Sequence, residues 1–303
     1  MAAEWHEDAV QVGIIGGSGL YDLEALTDVR EVRVTTPYGD PSDALVVGSL
    51  GGIRVAFLPR HGRRHQIVPT NVPARANIYA LKSLGVRQLI SVSAVGSLRE
   101  DFRPGDLVTP DQIVDRTRNR SGSTFFDENL VVHVPFGEPF CGRLRELLAS
   151  AARDATDTSV HTSGTYCCME GPQFSTRAES ELYRSWGLDI IGMTAVPEAK
   201  LAREAELCYA GLALVTDYDC WRADSEDVSA SAVTEVMRRN SAAAKASMVA
   251  LLASLDPEPK CGCQDALATS VITPLDAVSE TTRDRNRLLV GRYFAAQEPK
   301  PAA

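Results

Sequence analysis

The chain has 303 residues, of which 44% are hydrophobic and 23% charged. That composition carries a sizeable core and excludes wholesale disorder. With 31 Lys+Arg against 40 Asp+Glu the net charge is -9, so there is no general electrostatic footprint for nucleic acid, and an anionic substrate must meet locally placed cations.

No apolar run approaches the roughly 18 residues of a membrane span. The opening MAAEWHEDAV holds acids and lacks a basic and apolar leader. A cytoplasmic protein with neither membrane nor nucleic-acid partners is expected.

Residues 11–15 form an apolar run that ends in Gly16-Gly17-Ser18-Gly19, the pattern of a buried strand feeding a glycine turn. Residues 44–50 and 53–58 are rich in β-formers, and Gly51-Gly52 between them marks a hairpin. Helical spacing follows over 73–84, with Gly85 as its stop, then a strand over 86–94. Residues 107–114 read as extended and 138–153 as helical. A strand is expected over 165–169, a helix over 176–186, a strand over 188–193, a helix over 196–207 and an apolar strand over 208–216. A long alanine-rich helix occupies 228–255.

Continuous apolar strands alternating with helices give an α/β fold, a central sheet buried under helices on both faces. The boundaries are a short extension over 1–10, one domain over 11–255 and, past the Pro257-Glu258-Pro259-Lys260 hinge, a partly helical appendage over 256–303 with a frayed end.

Seven cysteines, an odd number, argue against a disulfide framework. Cys261-Gly262-Cys263 is too tight for a usual zinc pair and has no second pair near it in sequence. It reads as two surface thiols in a flexible tail, or as a redox-labile pair. No metal is expected.

Chemistry in such folds gathers at the carboxyl ends of strands. The first glycine turn fails the dinucleotide fingerprint, because Asp22 stands where its third glycine belongs, and no Walker lysine is present. That disfavours an oxidoreductase and leaves a structural turn or a backbone phosphate cradle that includes Ser18. The RHGRRH run from Arg60 to His65 is either a solvated loop or an oxyanion clamp, since guanidinium offers a planar donor fork. Ser18, Ser93 and Thr194 add hydroxyl donors for a tetrahedral anion. Asp217 and Asp219, two apart at a strand end, form a turn, a metal site or a pair of carboxyls sharing one proton.

The segments GIIGGSGLYD (13–22), TPYGDPSD (36–43), LPRHGRRHQIVPTNVPARANIYAL (58–81) and SAVGSLREDFRPGDLV (93–108) resemble the trimeric purine nucleoside phosphorylases. So do EGPQFSTRAE (170–179), IGMTAVPEAKLAREAELCYA (191–210) and TDYDCW (216–221). The resemblance covers about residues 10–255. It implies the nucleoside phosphorylase fold, a single domain whose mixed central sheet is partly barrel-like.

Within the family the likeness is strongest to members that convert 5'-methylthioadenosine and phosphate to adenine and 5-methylthioribose 1-phosphate, a salvage reaction with inorganic phosphate as co-substrate and no cofactor. It implies phosphate ligands at Ser18, Arg60, His61, Ser93, Ala94 and Thr194. It places Phe174, Met193, Val233, Asp217 and Asp219 at the nucleoside, with Asp217 and Asp219 catalytic. His133, with Phe136, would reach the neighbouring site of a homotrimer.

Three features depart from the family pattern. Ala230 stands where valine is common near the 5' substituent. The tail matches poorly to the animal enzymes. Its Cys-x-Cys is closer to some microbial and archaeal members, where such cysteines can pair. Leu267 and Ile272 are candidates for a lid over the 5' pocket. The competing readings are a 6-oxopurine phosphorylase, for which Asn is favoured at position 217, and a nucleotide-binding regulator without turnover.

Overall fold

The structure is a computed structural model, which describes residues 9–17, 25–120, 122–222 and 230–297. Eleven strands are assigned among them: β1 (Val12–Gly16), β2 (Thr27–Val32), β3 (Leu45–Leu50), β4 (Ile53–Pro59), β5 (Gln88–Ser97), β6 (Leu107–Val108), β7 (Gln112–Asp115), β8 (Val160–His161), β9 (Thr165–Cys168), β10 (Ile190–Gly192) and β11 (Cys208–Asp217). The helices are α1 (Ala74–Ser83), α2 (Gly142–Ala155), α3 (Arg177–Ser185), α4 (Ala195–Glu204), α5 (Ala230–Ser254), α6 (Glu280–Arg285) and α7 (Arg287–Gln297).

All strands belong to one mixed sheet, organised around β5. The first part of β5 runs parallel to β1 on one side and to β11 on the other. Its last residues, Gly96 and Ser97, turn to pair antiparallel with β10. From β10 the sheet continues through β9 to β7, and from β11 through β6 to β8. These two branches meet. Backbone bonds from Thr109 N–H to His161 O (2.9 Å) and from Asp111 N–H to Gly164 O (3.2 Å) join β6–β7 to β8–β9 as two broken but continuous runs. The partly barrel-like sheet expected from the family is thus a closed ring, with β2, β3, β4 and β1 as a wing.

The apolar runs explain the depth of this sheet. Nine of the ten residues of β11 are buried, and β1 is buried throughout. Helices α2 and α5 cover one side with Leu144, Leu148, Met248, Leu251 and Leu252; α1 and α4 cover another with Ile78, Leu81, Leu201 and Ala202. The β3–β4 hairpin turns at Gly51 and Gly52, both with positive φ, a conformation glycine adopts without steric cost. Helix α3 opens on a reciprocal capping box between Thr176 and Glu179.

Two expectations about the tail are corrected. Cys263 is buried and Cys261 half-buried, so they are not surface thiols of a flexible segment. Leu267 is fully buried in the core beside Val278, Leu289, Val290 and Phe294, so it cannot serve as a lid. The tail is part of the core because these side chains supply its missing wall. Ile272 stays 58% exposed, on a short bridge between Val271 and Val132. Ser18 and residues 298–303, on which the expectation of a frayed end falls, lie outside the described residues.

Candidate active site

Parallel pairing brings the carboxyl ends of β1, β4, β5 and β11 to one side of the molecule. Gly16 is opposite Pro59, and Asp217 is opposite Gly96. Around this rim stand Arg60 and His61 just past β4, Ser93 and Ala94 in β5, Met193 and Thr194 just past β10, and Asp217 closing β11.

Arg60 is almost fully buried, and every nitrogen of its guanidinium is engaged. Nε donates to Glu198 Oε2 (2.9 Å), Nη1 to Val92 O (3.1 Å), and Nη2 to Ser91 Oγ (2.7 Å) and Glu198 Oε1 (3.2 Å). Burial opposes its charge, but Glu198 holds its pKa above the ordinary value. The clamp expected of this arginine is therefore narrower than the sequence suggests: a paired cation with at most one N–H left for an anion. Arg63 is paired as well, with Glu31 and Asp43.

His61 lies beside it, with Nδ1 2.8 Å from Ile67 O. Burial pulls its ring down to about 4, so it is neutral at pH 7. A carbonyl can only accept, so the proton sits on Nδ1 and Nε2 keeps its lone pair. Thr194 precedes the first turn of α4; its hydroxyl is buried and makes no normal hydrogen bond among the described residues. The Tyr166 hydroxyl interacts with the Thr194 and Ser93 hydroxyls, which oppose the rise that burial gives its pKa, and lies so close over Gly192 that a Cβ there would meet it at 2.0 Å.

Asp217 Oδ2 accepts from Thr216 Oγ1 (2.6 Å), and Oδ1 accepts from Asp219 N–H (2.8 Å). Burial raises the pKa of both carboxyls, partly opposed at Asp217 by these two bonds and at Asp219 by the Ser180 and Ser175 hydroxyls. The proton shared between two parallel carboxyls is corrected. The strand stops at Asp217, and Asp219 has a φ of 52°, outside the extended conformation that would make the two side chains parallel. Asp219 instead serves Asp217 through its backbone N–H. Burial, more than the neighbouring charge, raises the Asp217 pKa.

Phe174 is 42% exposed; its neighbour Ser175 accepts through its carbonyl from the Cys220 thiol (3.2 Å), which sets Phe174 near the Asp217–Cys220 turn. Met193 packs its sulfur against Gly171, where a Cβ would meet it at 2.4 Å. His133 is exposed and tied through its backbone N–H to Ser270 O (2.9 Å), while Phe136 packs on the core. Val233 is in α5, but its side chain lies outside the described residues.

Sequence reasoning missed two contributors and gave a third no role. Glu198 sits on α4, 138 residues from the arginine it holds. Arg120 gathers Glu170, Pro69 O, Val196 O and, at 2.7 Å, Met193 O. Gly96 leaves room for the acid, since a Cβ there would lie 2.9 Å from Asp217 Oδ1. The glycine was legible as part of a strand ending; the other two gave no local signal.

Residues 11–253 match the model of the phosphorylase superfamily. The S-methyl-5'-thioadenosine phosphorylase of Koribacter versatilis (strain Ellin345) is 51% identical, over 95% of this chain and 98% of its own. That of Thermosynechococcus vestitus is 53% identical over 94% and 99%. A crystal structure of methylthioadenosine phosphorylase from an antarctic soil metagenomic library superposes with a TM-score of 0.89 at 49% identity, covering 93% of this chain and 99% of that one. Methylthioadenosine phosphorylase from Schistosoma mansoni in complex with adenine gives 0.77 at 37%, with coverage of 93% and 98%. The chain belongs to the phosphorylase superfamily, within its S-methyl-5'-thioadenosine phosphorylases.

Proposed function

We infer that this protein is a pentosyltransferase that cleaves the N-glycosidic bond of 5'-methylthioadenosine with inorganic phosphate, releasing adenine and 5-methylthioribose 1-phosphate. The observation that carries the reading is Asp217: a buried carboxyl at the end of β11, opposite Gly96 on β5 and pinned by Thr216 Oγ1 and the Asp219 N–H, with burial raising its pKa. Breaking the bond puts positive charge on the ribose and negative charge on the purine. A phosphate held by Ser93, the Ala94 backbone, Thr194 and the remaining Arg60 N–H, with Ser18, and with His61 Nε2 accepting from its P–OH, stabilises the first and then attacks it. Asp217 donates its proton to purine N7, which relieves the second. The work is positioning and electrostatics, and the proposed route calls on no cofactor beyond the phosphate co-substrate. Phe174 and Met193 would flank the base and sugar, and Val233 the 5' end.

The exposed His133 supports a homotrimer in which this loop completes a neighbour's site. The acidic composition, which offers no electrostatic footprint for nucleic acid, supports an enzyme of small molecules, and no described helix is long and apolar enough to cross a membrane. The test is ultraviolet detection of adenine from methylthioadenosine with and without phosphate. Release that requires phosphate is expected; equal release without it would overturn the reading.

A further inference from the structure

Four of the seven cysteines converge where the tail meets the barrel. Cys141 precedes α2, Cys208 opens β11, and Cys261 and Cys263 come from the segment after α5. All four Sγ atoms lie within 4.8 Å of one another. Cys141 Sγ is 3.8 Å from Cys261 Sγ, and Cys208 Sγ is 3.2 Å from it. Thiolates about 2.3 Å from a tetrahedral zinc ion stand about 3.8 Å apart, so the spacing is close to that of a closed four-thiolate shell. The Cys-x-Cys step that looked too tight for zinc by itself needs to supply only one edge of that tetrahedron.

We propose that Cys141, Cys208, Cys261 and Cys263 form a structural Zn2+ site that fastens the carboxy-terminal segment to the barrel. Three of the four are buried, among Leu144, Leu148 and Leu255, while half-buried Cys261 offers an entry path. Cys141 is the N-cap of α2, where the helix terminus favours a thiolate. Gln264 Nε2 donates to Cys208 Sγ at 3.3 Å, the kind of outer hydrogen bond that steadies a metal thiolate.

On binding, each thiol gives its proton to solvent and its sulfur lone pair to the ion, so four protons leave and the site carries a net charge of -2. With all four positions filled by protein the ion has no place for substrate. It also sits at the amino end of β11, nine residues and about 30 Å along the strand from Asp217. What it holds is Leu267 and, beyond it, the bridge between Val271 and Val132 that carries the His133 loop.

The experiment uses the full chain, purified under reducing conditions and dialysed against Zn2+. One zinc per chain by atomic emission is expected, as are the strong visible bands of a tetrahedral thiolate site when Co2+ replaces it. In the loaded protein, alkylation should spare these four thiols until a chelator is added, and the chelator should lower Tm by several degrees. Cys261→Ser with Cys263→Ser should lose at least nine-tenths of the bound zinc; should that variant not fold, the alkylation pattern of the unmodified chain decides. Substoichiometric zinc at saturation would overturn the proposal. So would a chain four hydrogens lighter by intact mass, which would show the thiols to be two disulfides.

Discussion

Glu198 Oε2 accepts from Arg60 Nε at 2.9 Å, with the two side chains only 5% and 3% exposed. Tyr209 hydroxyl donates to the other carboxylate oxygen at 2.9 Å. A cation this deep is tolerable because it is paired, and its geometry is set before any anion arrives. Removing the carboxylate leaves an uncompensated buried charge, which typically costs about 3–5 kcal/mol. Glu198→Ala should therefore lower the urea midpoint strongly and raise the KM for phosphate. Glu198→Gln, which keeps an acceptor, should fall between. Unchanged stability in Glu198→Ala would show that the pair is not what holds Arg60.

Gly96 predicts a different kind of loss. Its Cβ position is 2.9 Å from Asp217 Oδ1 and 3.1 Å from an Ile191 methyl. The carboxyl cannot swing aside freely, because Asp219 N–H and Thr216 Oγ1 pin its two oxygens. Gly96→Ala should lower kcat/KM by about 100-fold, the scale of a misplaced catalytic group, with kcat carrying most of it. Kinetics and thermal melting on the same samples separate this from unfolding: a large Tm drop with unchanged kcat would count against it.

The strands were legible where their sequence was continuously apolar. β11 (CYAGLALVTD) needs no partner to declare itself, and Gly51-Gly52 marks the β3–β4 turn by chain chemistry alone. β2 (TDVREV) was not legible, because it is an exposed wing strand with neither apolar run nor alternation. Asp217 and the residues proposed to hold phosphate were singled out from strand endings and family resemblance, and the fold sets Arg60, His61, Thr194 and Asp217 at or just past strand ends. The proton-sharing pair failed because one left-handed residue, Asp219, breaks the period-two rule at the point where it was applied. Glu198 and the four-cysteine cluster could not be seen, since each joins residues more than 50 positions apart.

His61 should make stability depend on acid. Its ring is held near a pKa of 4 by burial, against 6.5 for an ordinary histidine. Above pH 6.5 both folded and unfolded chains leave it neutral. Below that the unfolded chain takes up a proton that the folded chain refuses, so stability falls as pH drops from about 6.5 to about 4. His61→Gln should flatten that part of the profile. Urea midpoints at several pH values test it; parallel profiles for the two proteins would show that His61 is not the group.

The proposed trimer rests on the exposed His133, whose backbone is fixed by Ser270 O at 2.9 Å. Light scattering should give the mass of three chains, and His133→Ala should raise the KM for nucleoside while leaving that mass unchanged. A fully active monomer would remove the idea.

Asp217 should decide which base is accepted. Adenine presents an amino donor at C6 and an acceptor at N7. A protonated carboxyl meets both, its carbonyl oxygen accepting from the amino group and its hydroxyl donating to N7. A 6-oxopurine carries an acceptor at C6, which that carbonyl oxygen repels, so the unmodified protein should prefer 6-aminopurine nucleosides. A polar mismatch in a water-excluded site can cost about 10⁴ in kcat/KM. Asp217→Asn reverses the pattern, since its NH2 donates to O6 and its carbonyl accepts from a protonated N7; most adenine release should vanish and some activity on methylthioinosine should appear. The same substitution should stabilise the fold at neutral pH. Burial raises the Asp217 pKa above its ordinary 3.8, so the folded chain holds a proton that the unfolded chain has lost, and stability declines as pH rises from about 3.8 through the folded value. The amide has no such proton to lose, so its advantage should be present at pH 7 and disappear below about pH 4. Kinetics of both proteins on methylthioadenosine and methylthioinosine, with urea unfolding at pH 7 and pH 4, test the two halves separately. A wild-type preference for methylthioinosine would remove Asp217 from base recognition and favour a 6-oxopurine enzyme, whatever the unfolding curves show.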